Sequence, residues 1–213
     1  MRVNVDDAEK YGGQGGGGYF RLANDKDVAK VRFLYDKIED VEGFAVHQIE
    51  DENGKKRYVN CLREYGAPVS DCPFCAAGKM TSVKYFVPLF NLDTQRIETW
   101  ERGKKFGQKL SSLCARYPHL VSNVFEIERN GKAGDQQTTY EIYSIGREDE
   151  TTMDDFDVPD ALGTHVLDKT REEMETFLNT GSFDGEVVRR RDSNDRAEES
   201  YGRRTPSNRG ERF

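Results

Sequence analysis

Four residues have types and spacings suited to gripping a metal ion: His47, Cys61, Cys72 and Cys75. Cys72-Pro73-Phe74-Cys75 is a knuckle whose two thiolates can reach one ion, and a closed tetrahedral site needs two further ligands. Ten residues separate Cys61 from Cys72, and thirteen separate His47 from Cys61. Between His47 and Cys61 lies Asn53-Gly54, flanked by the strand-like runs 44–49 and 56–62. Asn-Gly in such a setting is a strong hairpin signal, because both residues accept positive φ. A turn centred there sets residue 47 opposite residue 60 or 61, and opposed residues on paired strands have Cβ atoms about 5 Å apart. His47 and Cys61 then become neighbours on one sheet face, with the knuckle folding over them. The expectation is one structural Zn2+ per chain, held by His47, Cys61, Cys72 and Cys75.

Other uses of these residues fit less well. A redox CxxC pair belongs beside a βαβ pattern, which is absent here. A catalytic zinc keeps an open position and a general base nearby. The nucleobase-deaminase pattern H-x-E…P-C-x-x-C fails, since Ile49 follows His47 by two and Asp71 precedes Cys72. No Ser-His-Asp or Cys-His arrangement is apparent, so a binding protein rather than an enzyme is expected. Cys114 falls on the apolar stripe of a helix and reads as core, while His119 and His165 have no companions in the sequence.

The elements around the ligands are mostly strands. Val28 to Tyr35 alternates, with Val31, Phe33 and Tyr35 on one face and Lys30 and Arg32 on the other. Strands are also expected over 44–49, 56–62, 83–92 and 96–102, with a last hairpin of 124–129 and 138–145 about Asn130-Gly131. Residues 103–116 switch to helical spacing. Several short strands with one internal helix suggest a mainly β fold, an OB-fold barrel, with a zinc-binding region inserted at 47–79. The organisation expected is a flexible Gly-rich stretch over 1–18, a folded core over 19–146, and a tail over 147–213. In that tail an acidic linker is followed by a short helix at 170–180 and a disordered end. Thr170 can N-cap that helix, Glu173 completes a capping box, and Gly181 stands where a C-cap belongs.

The chain of 213 residues is only 35% hydrophobic and 33% charged, with a formal net charge of −7. Read by segment, residues 55–109 carry eleven basic against five acidic residues, and residues 148–186 carry two against thirteen. A basic middle followed by an acidic strip suggests a polyanion binder with an acidic tail. That strip either solubilises the chain or occupies the basic region when the polyanion is absent. No apolar stretch approaches the ~20 residues of a membrane span, and the N-terminus lacks an apolar signal region. A cytoplasmic protein without a membrane partner is expected.

The ordered set His47…Cys61…Cys72-Pro73-Phe74-Cys75 resembles the helix-destabilising single-stranded DNA-binding protein of T-even bacteriophages and its phage relatives. Lys84-Tyr85-Phe86-Val87-Pro88-Leu89 and the run from Gly103 to Leu110 extend the likeness over roughly residues 19–145. The resemblance implies an OB-fold core with an inserted zinc region. It also implies binding to single-stranded DNA in phage replication, recombination and repair, in the bacterial host cytoplasm. Self-association on DNA and replication or recombination proteins docking at the C-terminal region belong to the same picture. The family's N-terminal basic motif has no clear counterpart in Met1–Gly18.

Single-strand binders combine a basic groove with aromatic rings on which bases stack, and residues 55–109 carry both kinds of side chain. The candidate contacts there are Lys56, Arg57, Tyr58, Arg63, Tyr65, Lys84, Tyr85, Phe86, Arg96, Trp100, Arg102, Lys104 and Lys105, with Lys30 and Arg32 from the preceding strand. Arg96, Glu98, Trp100 and Arg102 share one strand face, which makes the lone tryptophan a stacking candidate. Lys104 and Lys105 open the expected helix, where a phosphate would offset the unfavourable helix dipole. The competing function is a zinc-containing replication or transcription adaptor working through protein-protein contacts, its helix at 170–180 docking a partner through Met174, Phe177 and Leu178.

Overall fold

A computed structural model describes residues 18–185, apart from 52, 53, 136 and 149. The flexible stretch expected over 1–18 and the disordered end expected beyond the helix therefore lie almost wholly outside the described residues.

Among the described residues the architecture is mainly β, with nine strands in one sheet. They are β1 (Gly18–Tyr19), β2 (Val28–Phe33), β3 (Glu42–Glu50), β4 (Lys56–Asn60), β5 (Thr81–Asn91), β6 (Arg96–Gly103), β7 (Asn123–Asn130), β8 (Thr139–Arg147) and β9 (Val166–Leu167). Among the described residues three α-helices accompany them: α1 (Pro73–Ala76), α2 (Gly107–Arg116) and α3 (Arg171–Thr180). The long strand β5 organises the sheet. Along one edge it pairs with β6 over residues 84–91. Its other edge is shared, with β3 taking residues 81–86 and β2 taking residues 89–91. Pro88, which has no N–H to donate, falls between those two pairings.

The sheet fans out from β5 in the order β8-β7-β2-β5-β3-β4-β9, with β6 and β1 alongside, and no pairing closes it. The barrel expected from the strand pattern is thus an open sheet. Its main apolar cluster lies against α2 and gathers Val31, Phe33, Tyr35, Val87, Leu89, Trp100, Leu110, Phe125 and Ile127. Ala29, Val31 and Phe33 of β2, Val87 and Leu89 of β5, and Phe125 and Ile127 of β7 contribute at every second position, as the period of two along a strand requires, and β6 adds Trp100.

Two features differ from the sequence expectation. Residues 104–106 form a 3-10 turn before α2, so Lys104 and Lys105 precede the helix. The chain also keeps packing past Gly146. Ala161 and Val166 join Val46 and Phe86 in one cluster, and Met174 and Phe177 join Phe74 in another. Acidic composition hid this packing, because the apolar residues of 156–177 are few and widely spaced. No helix among the described residues is long and apolar enough to cross a membrane.

Candidate metal centre and adjoining groove

The β3–β4 hairpin pairs His47 with Val59 and Val46 with Asn60. The pairing is offset by one residue from that of a turn centred on Asn53-Gly54, so His47 does not face residue 60 or 61. Face parity still holds, because Cys61 lies two residues beyond Val59 and returns to the same side of the sheet. The Cys61 amide extends the ladder by donating to the Ala45 carbonyl at 2.8 Å.

The knuckle closes the site from above. Cys72 caps α1, its carbonyl accepting from the Ala76 amide at 2.9 Å, and Pro73 takes the first helical position, where a missing N–H costs nothing. Gly78 then reverses the chain at φ +74, a conformation that favours glycine. The Cys75 carbonyl accepts from Gly78, and the Phe74 carbonyl accepts from Lys79.

The four ligand atoms all lie within 4.8 Å of one another, and the four cysteines of the chain are free thiols. His47 Nε2 stands 3.4 Å from Cys72 Sγ and 3.7 Å from Cys75 Sγ, and Cys61 Sγ stands 3.6 Å from Cys75 Sγ. A tetrahedron with bonds of about 2.3 Å to sulfur and about 2.0 Å to nitrogen has edges of about 3.8 Å and 3.6 Å. The arrangement can therefore hold a metal ion.

His47 Nδ1 lies 3.2 Å from the Met80 carbonyl, a contact that fixes the ring and leaves Nε2 for the ion. Burial lowers the His47 pKa and keeps the ring neutral, the form a metal needs. Burial pushes the Cys61 thiol up to about 11. Burial also opposes ionisation of Cys72, but backbone hydrogen bonds involving Cys75, Leu62 and Phe74 bring it below the ordinary value. Like charges this close repel, which opposes ionising several of the thiols together without a cation. A dication would permit all three.

The opposite face of the same hairpin forms one wall of a groove. Gln48, Tyr58 and Lys56 project there, and Tyr19 and Arg21, Glu101 of β6, and Thr164 and His165 supply the rest. With Lys55 and Arg57 the groove encloses about 530 Å³ and carries four cations against one carboxylate. That carboxylate is engaged, since Glu101 accepts from the Tyr58 hydroxyl at 2.8 Å and from Lys84 Nζ at 2.6 Å. Lys84 Nζ in turn lies 5.1 Å from the centre of the Tyr58 ring.

The residues expected to touch DNA fall into three groups. Lys56, Arg57 and Tyr58 line the groove, and Lys84 braces its floor through Glu101. Lys30, Arg63, Tyr65, Arg96, Lys104 and Lys105 reach the surface elsewhere.

The other five pack inside, against expectation. Trp100 is fully buried, because its cross-strand partner is Val87 and its face of β6 is the core face. Phe86 is buried between Phe44 and Tyr58. Tyr85 packs on the main cluster, so close to Gly43 and Gly107 that a Cβ on either would meet its ring or hydroxyl at 2.9 Å. Arg102 lays its guanidinium over the Trp100 and Tyr140 rings, at 4.3 Å and 4.1 Å. Arg32 is buried beneath β7, donates to the Val121 and Ser122 carbonyls at 3.2 Å, and pairs with Glu148.

Tyr19, Arg21, Lys55 and His165 line the groove without being expected there from the sequence. The alternation of Tyr19 and Arg21 just before the first long strand is the available signal. His165 gives none, because only the parallel pairing of β9 with β4 brings it to the groove. In comparisons with protein-family models, curated proteins and solved structures, nothing matches this chain.

Proposed function

We propose that this chain is a sequence-tolerant single-stranded DNA-binding protein whose binding surface is braced by a structural zinc ion. The reading rests on one observation: a groove where Arg21, Lys55, Lys56 and Arg57 meet the rings of Tyr19 and Tyr58. Cations attract the phosphate backbone and rings accept bases of any sequence, which is the combination single-strand binding uses. Replication, recombination and repair are the settings in which such a protein works.

Zinc is the metal favoured by the donors. Three thiolates and one imidazole in a tetrahedron suit a soft, geometrically undemanding dication, and four protein ligands make a closed, structural site. The zinc would act on DNA binding indirectly. It fastens one face of the β3–β4 hairpin while Lys56 and Tyr58 stand on the other.

A second reading, an adaptor acting through protein contacts, draws support from the exposed side chains of Tyr65, Val69 and Met80 around the metal region. It cannot use the apolar face of α3, because Met174 and Phe177 are buried against Phe74 within the chain. Titration of the purified protein with a labelled oligonucleotide, single-stranded and then as a duplex, separates the two. Saturable binding that favours the single strand supports the first reading, and its absence at low salt leaves the second.

A further inference from the structure

A series of three rings that the sequence keeps far apart leads from the core to the groove. Phe86 is the buried base of it. The His165 imidazole lies parallel on Phe86, with centroids 5.9 Å apart and planes at 8°. Tyr19 meets His165 at 4.7 Å with the ring planes tilted by 56°, and Tyr19 is the exposed end of the series at 38%.

The local chain holds this geometry firmly. Ala161 and His165 close a tight turn, with the His165 amide donating to the Ala161 carbonyl at 2.8 Å and Gly163 at φ +89. Tyr19 is fixed by the parallel pairing of β1 with β6, and the Phe20 amide donates to the Thr99 carbonyl at 2.9 Å. Burial lowers the His165 pKa, and its buried Nε2 has no hydrogen-bond partner among the described residues. The imidazole is therefore a neutral ring packed between Phe86 and Tyr19, and it supports the Tyr19 ring.

Around the exposed end stand the groups a nucleotide needs. The Arg21 guanidinium lies over the Tyr19 ring, 5.5 Å from its centre, so a base stacking there would move it aside toward the phosphate, and Lys55, Lys56 and Arg57 line the same groove. The groove's 530 Å³ falls in the size range of small-ligand sites.

We propose that this is a discrete nucleotide subsite, in which Tyr19 is the platform for one base and Arg21, with the 55–57 cations, takes the adjoining phosphates. The proposal rests on the single-strand reading above and sharpens it to one ring and one cation. Stacking is short-range and indifferent to salt, whereas a phosphate contact releases counterions, so the two residues should fail in different ways.

The test uses the full-length protein and a labelled oligothymidylate over a salt series, with metal content measured alongside. Tyr19→Ala should weaken binding about 5- to 150-fold with the salt slope unchanged, and Tyr19→Phe should restore it. Arg21→Ala should instead reduce the slope by about 0.7. If wild-type protein binds and Tyr19→Ala binds equally well, the subsite is overturned while single-strand binding stands. If Tyr19→Phe is as weak as Tyr19→Ala, the hydroxyl rather than the ring matters, and the stacking role is overturned. If wild-type protein does not bind the oligonucleotide, the parent reading fails and takes the subsite with it.

Discussion

The sheet is held together differently around Trp100 and around His47. At Trp100 the fold relies on aromatic burial: Phe20, Phe106 and Tyr140 meet the indole edge-on with centroids 5.7, 5.0 and 5.2 Å away. Each such side chain contributes roughly 1.5–3 kcal/mol by leaving water, so the region needs nothing from outside the chain. At His47 the apolar cluster is small, with Ile49, Val59, Phe74, Met174 and Phe177 around polar ligand atoms. Three thiols and an imidazole crowded within 4.8 Å gain little from one another unless a cation joins them. A metal ion held there would secure that end of the open sheet.

The comparison breaks most visibly if the metal is taken away. Chelation, or Cys72→Ser, should cost more than about 5 kcal/mol of local stability. Hydrogen exchange should report the loss in the 44–61 hairpin, α1 and α3, while β2 and β7 stay protected. Uniform loss of protection would mean the two regions are one cooperative unit. Acid should act in the same direction. Burial sets the folded pKa of His47 below its ordinary 6.5, so its contribution is present above 6.5 and is lost as pH falls toward the lowered value.

A smaller effect is expected at the other region. Trp100→Ala should cost about 3–5 kcal/mol by leaving a cavity. Metal content should be unchanged, and the fluorescence of the single tryptophan should not be quenched by oligonucleotide. Quenching together with a normal melting temperature would place the indole in the groove after all.

The smallest change is at the helix that covers the metal region. Thr170 accepts from the Glu173 amide at 3.3 Å in a capping box that starts α3. Thr170→Ala should cost about 1 kcal/mol, seen as earlier exchange of α3 with groove binding intact. No change in α3 exchange would mean that packing through Met174 and Phe177 alone fixes the helix.

Much of this structure is legible in the sequence, for reasons that differ by element. The ligand set can be read from its residue types and hairpin spacing, although the exact register cannot: the pairing of His47 with Val59 returns Cys61 to the His47 face, and a slip of one residue would turn it away. The helix at 171–180 can be read from its caps. The strand face of Trp100 cannot be read from β6 alone, since Arg96, Glu98 and Arg102 disguise it. Only the pairing with Val87 and Leu89 shows that face to be the core side. Arg32 misleads for a related reason, because a buried guanidinium with two carbonyl partners looks like a surface cation in sequence. Tyr19 and His165 are illegible as a pair, since 145 residues separate them and two parallel pairings of two residues each bring them together.

The groove, and not the basic surface in general, is what should hold the single strand. The most direct measurement compares two double variants of the full-length protein by oligonucleotide titration across a salt series. Lys56→Ala with Arg57→Ala removes two groove cations, and Lys104→Ala with Lys105→Ala removes two from the 3-10 turn outside it. The first pair should lower the salt slope by about 1.4, at about 0.7 for each phosphate no longer neutralised, and the second pair should leave it nearly unchanged. Equal slopes for the two variants, or a larger drop for the Lys104 and Lys105 pair, would contradict a groove-bound strand.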